Sequence, residues 1–129
     1  MLILWKVDEK CIWMKIEDAH KGAITSLCFG NFGGWRFVVT ASQDTTLSVW
    51  FPHAAGYQKA TMIGGNDSIT SVKLTQDAFR MVTGSKDRCV SMFKRDKLNL
   101  LKSRVVWRRC EGRRQAFLNG VVFDGADFP

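Results

Sequence analysis

The stretch AHKGAITSLCFGNFGGWRFVVTASQDTTLSVW, Ala19 to Trp50, returns in altered form as GGNDSITSVKLTQDAFRMVTGSKDRCVSMF, Gly64 to Phe93. Laid over one another, Ile24-Thr25-Ser26-Leu27 meets Ile69-Thr70-Ser71-Val72, Thr40-Ala41-Ser42-Gln43-Asp44 meets Thr83-Gly84-Ser85-Lys86-Asp87, and Trp50 meets Phe93. Ahead of both, Leu2-Ile3-Leu4-Trp5 matches the tail of an earlier copy. Trp5 to Trp50 is 45 residues and Trp50 to Phe93 is 43. That period, filled by about four short strands per copy, belongs to repeat arrays whose units bury their apolar faces against one another.

The strand signals follow from composition. Ile24 to Phe29, Arg36 to Thr40, Thr46 to Phe51 and Lys59 to Ile63 are short, rich in β-branched and aromatic residues, and separated by Gly, Asn or Asp. Asn31-Phe32-Gly33-Gly34 is the turn between the first two. A second set is expected at Ile69 to Leu74, Phe79 to Thr83, Cys89 to Lys94 and Leu98 to Val106. Leu2 to Lys6 and Cys11 to Ile16 read as the last two strands of a unit whose start is absent.

The pattern resembles the WD-repeat family: a His in the loop leading into the blade, a bulged apolar strand, Ser/Thr residues before an Asp turn, and a closing aromatic. The resemblance covers Leu2 to about Val106 and implies an all-β fold, a partial β-propeller of four-stranded antiparallel blades, incomplete as one closed ring. It also implies a buried hydrogen-bond relay through His20, Thr40, Ser42, Asp44 and Trp50, with Thr83, Ser85 and Asp87 at the matching positions of the second copy. A buried indole N–H and imidazole need partners. Trp5 and Trp50 occupy the family's core Trp position. The departures are Ala19-His20 for the usual Gly-His, Phe51 for the Asp that names the family, Gly65 at the second His position and Phe93 at the second Trp position. The second relay is therefore expected to be incomplete.

The expected organisation is a half blade over residues 1–18, a blade over 19–63, a degenerate blade over 64–106, and a basic linker over 107–129. In that last part Leu118, Phe123 and Phe128 recur every five residues, as do Ala116, Val121 and Ala126, which is similar to the start of a pentapeptide-repeat segment. Propellers close with four to eight blades. Two and a half leave flanks bare, so the expectation is a segment of a larger protein, as the start inside a strand motif suggests, or closure by assembly with further copies.

At 46% hydrophobic and 24% charged the composition is that of a soluble globular protein. No apolar run reaches membrane-spanning length and no signal-peptide pattern opens the chain. Cys11, Cys28, Cys89 and Cys110 have no C-x-x-C spacing and read as buried thiols of a reducing, cytoplasmic compartment, the nucleus being a second option, not as disulfides or metal ligands.

Catalytic chemistry finds no footing. His20 falls at the structural His of the resemblance, and His53 follows Phe51-Pro52 in an exposed turn. The Ser, Thr and Asp residues are absorbed by turns and relay positions. Gly33-Gly34 and Gly64-Gly65 lack a phosphate-loop pattern, and His and Cys never cluster at metal spacing. No enzyme activity, cofactor or metal is expected.

The function implied is a non-catalytic protein–protein interaction scaffold, binding peptides or protein loops at the rim that carries the blade-leading loops and Asp turns. Lys21, Gln43, Lys86 and Arg88 flank those turns, and the basic pair favours acidic partners. The alternative lies in the run from Lys94 to Arg114, which carries nine Lys or Arg against Asp96 and Glu111, a balance equal to the net +7 of the whole chain. There Lys102, Arg104, Arg108, Arg109, Arg113 and Arg114 would follow a nucleic-acid backbone while Trp107 stacks on a base. The competing reading packs Trp107 on the last blade. Trp13 and Trp35 have no core position in this scheme and are candidates for a partner interface.

Overall fold

A computed structural model describes residues 1–96 and 102–110. It contains ten strands: β1 (Leu2–Lys6), β2 (Cys11–Ile16), β3 (Ile24–Phe32), β4 (Trp35–Ser42), β5 (Thr46–His53), β6 (Gly56–Ile63), β7 (Ile69–Leu74), β8 (Arg80–Ser85), β9 (Cys89–Arg95) and β10 (Ser103–Cys110). All pairing is antiparallel. β1–β2 form a half blade, β3-β4-β5-β6 a first full blade and β7 to β10 a second.

Turn chemistry sets the register. Gly33 and Gly34 both have positive φ, 56° and 83°, between the paired residues Phe32 and Trp35, the two-residue loop that matches strand twist. The inner strand of each full blade bulges at the same place, between Ile24 and Ser26 and between Ile69 and Ser71. The bulged threonines are used alike: Thr25 donates to the Ala41 carbonyl at 3.2 Å and Thr70 to that of Gly84 at 3.1 Å. Thr25 also donates to the Ile69 carbonyl, stitching one blade to the next.

Alternation then sends every second side chain to each flank. Phe37, Val39, Ala41, Leu47, Val49 and Phe51 of the first full blade meet Ile69, Val72, Met81 and Phe93 of the second. Each such burial contributes about 1.5–3 kcal/mol. Leu2, Leu4 and Ile16 of the half blade meet Val38 and Trp50 from the other side. Arg95 is sealed in the first interface at 2% exposure. Its guanidinium lies 4.1 Å from the Phe37 ring centroid and donates to the Ala78 carbonyl at 2.9 Å, and burial lowers its pKa to about 10.

Three expectations change. Strand β10 starts at Ser103 and runs to Cys110, past the boundary expected at Val106, because β9 offers it partners as far as Cys89. Trp5 is 58% exposed, not a core residue: among the described residues β1 pairs only with β2, and no inner strand there supplies the hydroxyl that Trp50 finds on β4. The cysteines are not four buried thiols. Cys89 and Cys110 are register partners joined by a disulfide, Cys11 is a free, exposed thiol and Cys28 is free and half-buried. The five-residue rhythm at 116–128 lies outside the described residues.

Candidate functional site

The rim is built by two Asp turns of the same design. Asp44 Oδ2 accepts the Lys21 amide at 2.8 Å and Oδ1 the Thr46 amide at 2.9 Å. Asp87 does the same for Asn66 at 2.9 Å and Cys89 at 3.0 Å. The Gln43 amide donates to the Ala23 carbonyl and the Lys86 amide to that of Ser68, both at 2.9 Å. Each carboxylate therefore ties the loop leading into its blade to the turn between the two central strands. The residue after each Asp closes the turn with positive φ, 76° at Thr45 and 66° at Arg88.

Beneath the first turn lies a continuous chain of hydrogen bonds from Trp50 to Asp44. The Trp50 indole donates to Thr40 Oγ1 at 2.9 Å, and Thr40 Oγ1 is 2.6 Å from His20 Nε2. His20 Nδ1 is 2.9 Å from Thr46 Oγ1, which is 2.5 Å from Asp44 Oδ1. A carboxylate only accepts, so the Thr46 hydroxyl proton is committed to Asp44. His20 then donates from Nδ1 to Thr46, with Asp44 Oδ2 also 3.4 Å away, and in the neutral imidazole Nε2 accepts from the Thr40 hydroxyl. The imidazole is neutral with its proton on Nδ1. Its pKa is lowered, burial outweighing the opposing pull of Asp44.

Burial alone would raise the Asp44 carboxyl, but hydrogen bonds from the Thr46 hydroxyl and the Thr46 and Lys21 amides outweigh it and bring the pKa to about 2. Asp87 is lowered in the same way, against burial, by the Ser85 hydroxyl and the amides of Asn66 and Cys89.

His20, Thr40, Asp44 and Trp50 are thus brought together. Thr46, which was not singled out in the sequence, is the member that joins His20 to Asp44; a hydroxyl two residues after the turn Asp is the signal that finds it. Ser42 stands aside from the imidazole and accepts the Asp44 amide at 3.1 Å. In the second blade the relay is reduced. Thr83 is buried, and Ser85 donates to Asp87. Gly65 occupies the His position, where an added Cβ would lie 3.1 Å from Ser85 Oγ and 3.3 Å from Asp87 Oδ2. The Asp turn survives there without room for an imidazole. The Thr46 position is taken by Cys89, whose sulfur is committed to Cys110.

On the rim, Lys21, Gln43 and Lys86 are exposed and Arg88 is half-buried. Next to His20, a cavity of about 590 Å³ is lined by Asp18, Lys21, Asp44, Thr46, Ser48, Lys59 and neighbouring residues. Of the two tryptophans without a core position, Trp13 is 40% exposed and Trp35 63%.

The described cations of the basic segment divide between the faces of β10. On β10, Arg104, Trp107 and Arg109 pair with Lys94, Met92 and Val90, whereas Arg108 pairs with Ser91 and donates to its hydroxyl at 2.8 Å. The cations therefore fall on opposite faces. Trp107 packs with Val90 against Val82 and Met92. Lys102 is exposed at the foot of the strand; Arg113 and Arg114 lie outside the described residues. Among the described residues no group of His, Cys, Asp and Glu is placed to hold a metal.

The family description "WD domain, G-beta repeat" matches residues 11–50 and 56–94. Among solved structures, the Saccharomyces cerevisiae Sqt1 crystal structure resembles the chain with a TM-score of 0.61 at 18% identity. The likeness covers 73% of this chain and 25% of that one, so the chain spans about a quarter of its length. No curated protein matches. The two family matches fall on the repeats that build the paired Asp turns and cover more than half of the residues: the chain belongs to the WD-repeat family.

Proposed function

We propose that the chain is a non-catalytic protein-interaction scaffold whose partner surface is the rim carrying Lys21, Gln43, Lys86 and Arg88. WD repeats are a protein-interaction type of scaffold. The observation that carries the finer reading is the pair of Asp turns. Asp44 and Asp87 immobilise both blade-leading loops and present exposed Lys21, Gln43 and Lys86 on a rigid backbone. Preorganised polar side chains lose little freedom on binding. Lys86 and Arg88 steer acidic peptides or loops to that rim.

Two further features belong to the same reading. The bare flank beside β1 supports completion by further blades, from a longer chain or from other copies. The split of Arg104 and Arg108 between faces, with Trp107 packed away, favours protein over nucleic acid as partner.

The test is affinity capture with the 129-residue chain and its Lys86→Glu and Lys21→Glu variants, followed by binding curves for each captured protein. Affinities that fall about tenfold with either reversal, a cost of about 1.4 kcal/mol, support the rim. Unchanged affinities for every partner would overturn it.

A further inference from the structure

Three cations stand side by side across the second full blade. Arg80 on β8 pairs with Lys94 on β9, and Lys94 pairs with Arg104 on β10. Register partners share a face and lie about 4.5–5.5 Å apart at Cα, so three positive side chains crowd one end of the flank facing away from the first full blade. Like charges directly opposite one another weaken a sheet.

Beside it, at the foot of β9 and β10, is a cavity of about 420 Å³ lined by Lys94, Arg95, Asp96, Lys102, Ser103 and Arg104. Arg95 is already engaged with Phe37 and Ala78. Lys94, Lys102 and Arg104 form no side-chain ion pair or hydrogen bond among the described residues. The buried Ser103 hydroxyl has no partner either. Lys94, Lys102, Arg104 and the orphan Ser103 hydroxyl outweigh the one carboxylate in the lining, Asp96, and are the chemistry that receives a dianion with several acceptor oxygens.

We propose that Lys94, Lys102, Ser103 and Arg104 form a binding site for a phosphomonoester, carried on a phosphorylated segment of a protein partner. The inference rests on the scaffold reading and adds a second surface to it. Lys94 and Lys86 occupy opposite ends of the blade, since β9 runs about 20 Å from the Asp turn to this cavity. A nucleic acid would need cations following a backbone with exposed rings for its bases. Here the cations run across the strands and Trp107 is packed on Met92.

The probe is a fluorescein-labelled, uncharged peptide with one phosphoserine, titrated into the full 129-residue chain beside its unphosphorylated form. Phosphorylation should tighten binding at least tenfold. Lys94→Gln and Arg104→Gln should each remove most of that gain, while Lys15→Gln, on the exposed half blade, leaves it intact. Affinity should fall as pH drops through about 6, where a phosphomonoester loses its second charge. The double Lys94→Gln/Arg104→Gln variant should melt no lower than the native chain, since it relieves like-charge crowding; phosphate should raise the melting point of the native chain only. Equal affinity for the two peptides would overturn the site, as would displacement by a single-stranded oligonucleotide with pH-independent affinity. Because every rim residue stays native in these variants, failure here leaves the rim untouched.

Discussion

The Thr46 hydroxyl stands 2.5 Å from Oδ1 of Asp44, and that contact fixes the proton on His20 two bonds further in. Nitrogen NMR of the folded chain should show His20 protonated at Nδ1 and bare at Nε2. Thr46→Val removes the nearer acceptor of the Nδ1 proton, leaving it the 3.4 Å contact to Asp44 Oδ2, and removes a donor from Asp44. We expect it to cost about 2 kcal/mol, the range for leaving a buried polar group unpaired, read by urea denaturation.

Acid should destabilise the protein in two stages. The folded His20 imidazole resists protonation below its ordinary 6.5, so the unfolded chain holds more protons and stability declines as pH drops from there. Asp44 and Asp87 act lower. Their contribution is intact above the ordinary carboxylate value of 3.8 and is lost as pH falls toward the value of about 2 at Asp44. Melting curves from pH 8 to 2 should show both declines, and His20→Gln should erase only the upper one.

Thiol titration separates the four cysteines. In the oxidised protein Cys11 should react at once, while Cys28, whose thiol burial pushes up to about 12, should react only on unfolding. Two further thiols should follow mild reduction. With its cysteines 21 positions apart, the bridge should contribute about 3 kcal/mol, measured as the difference between oxidised and reduced melts.

Thr45 holds a φ of 76° with a β-branched side chain, a conformation Asn tolerates far better. Thr45→Asn should stabilise the fold by about 1 kcal/mol, which raises the melting point by about 4 °C or more.

Arg95 is an interior cation held by rings, so its removal leaves a hole as well as a lost charge contact. Arg95→Ala should cost about 3 kcal/mol, while Arg95→Met, which fills the volume without a charge, should cost less.

The repeat was readable because each blade repeats its turn chemistry. Strand positions and the Asp turns follow from Gly33-Gly34, Asp44 and Asp87, residues whose backbone demands are local. Thr46 was missed because its role depends on where His20 arrives from a distant loop. Trp5 was misplaced because a matching position does not ensure matching neighbours: an indole is buried only if an inner strand covers it. The Cys89–Cys110 pairing was invisible for a similar reason. It is set by the β9–β10 register, not by spacing along the chain. Along the chain the basic run is continuous; on β10, strand alternation places Arg104 and Arg108 on different faces.

The half blade gives this protein an adhesive seam. With one edge of β1 unpaired among the described residues, and Trp5 and Phe29 at 58% and 73% exposure, main-chain donors and acceptors lie beside uncovered aromatic surface. Such an edge templates any extended strand that reaches it. The solubility of this chain is therefore governed less by its core than by whatever caps that edge first.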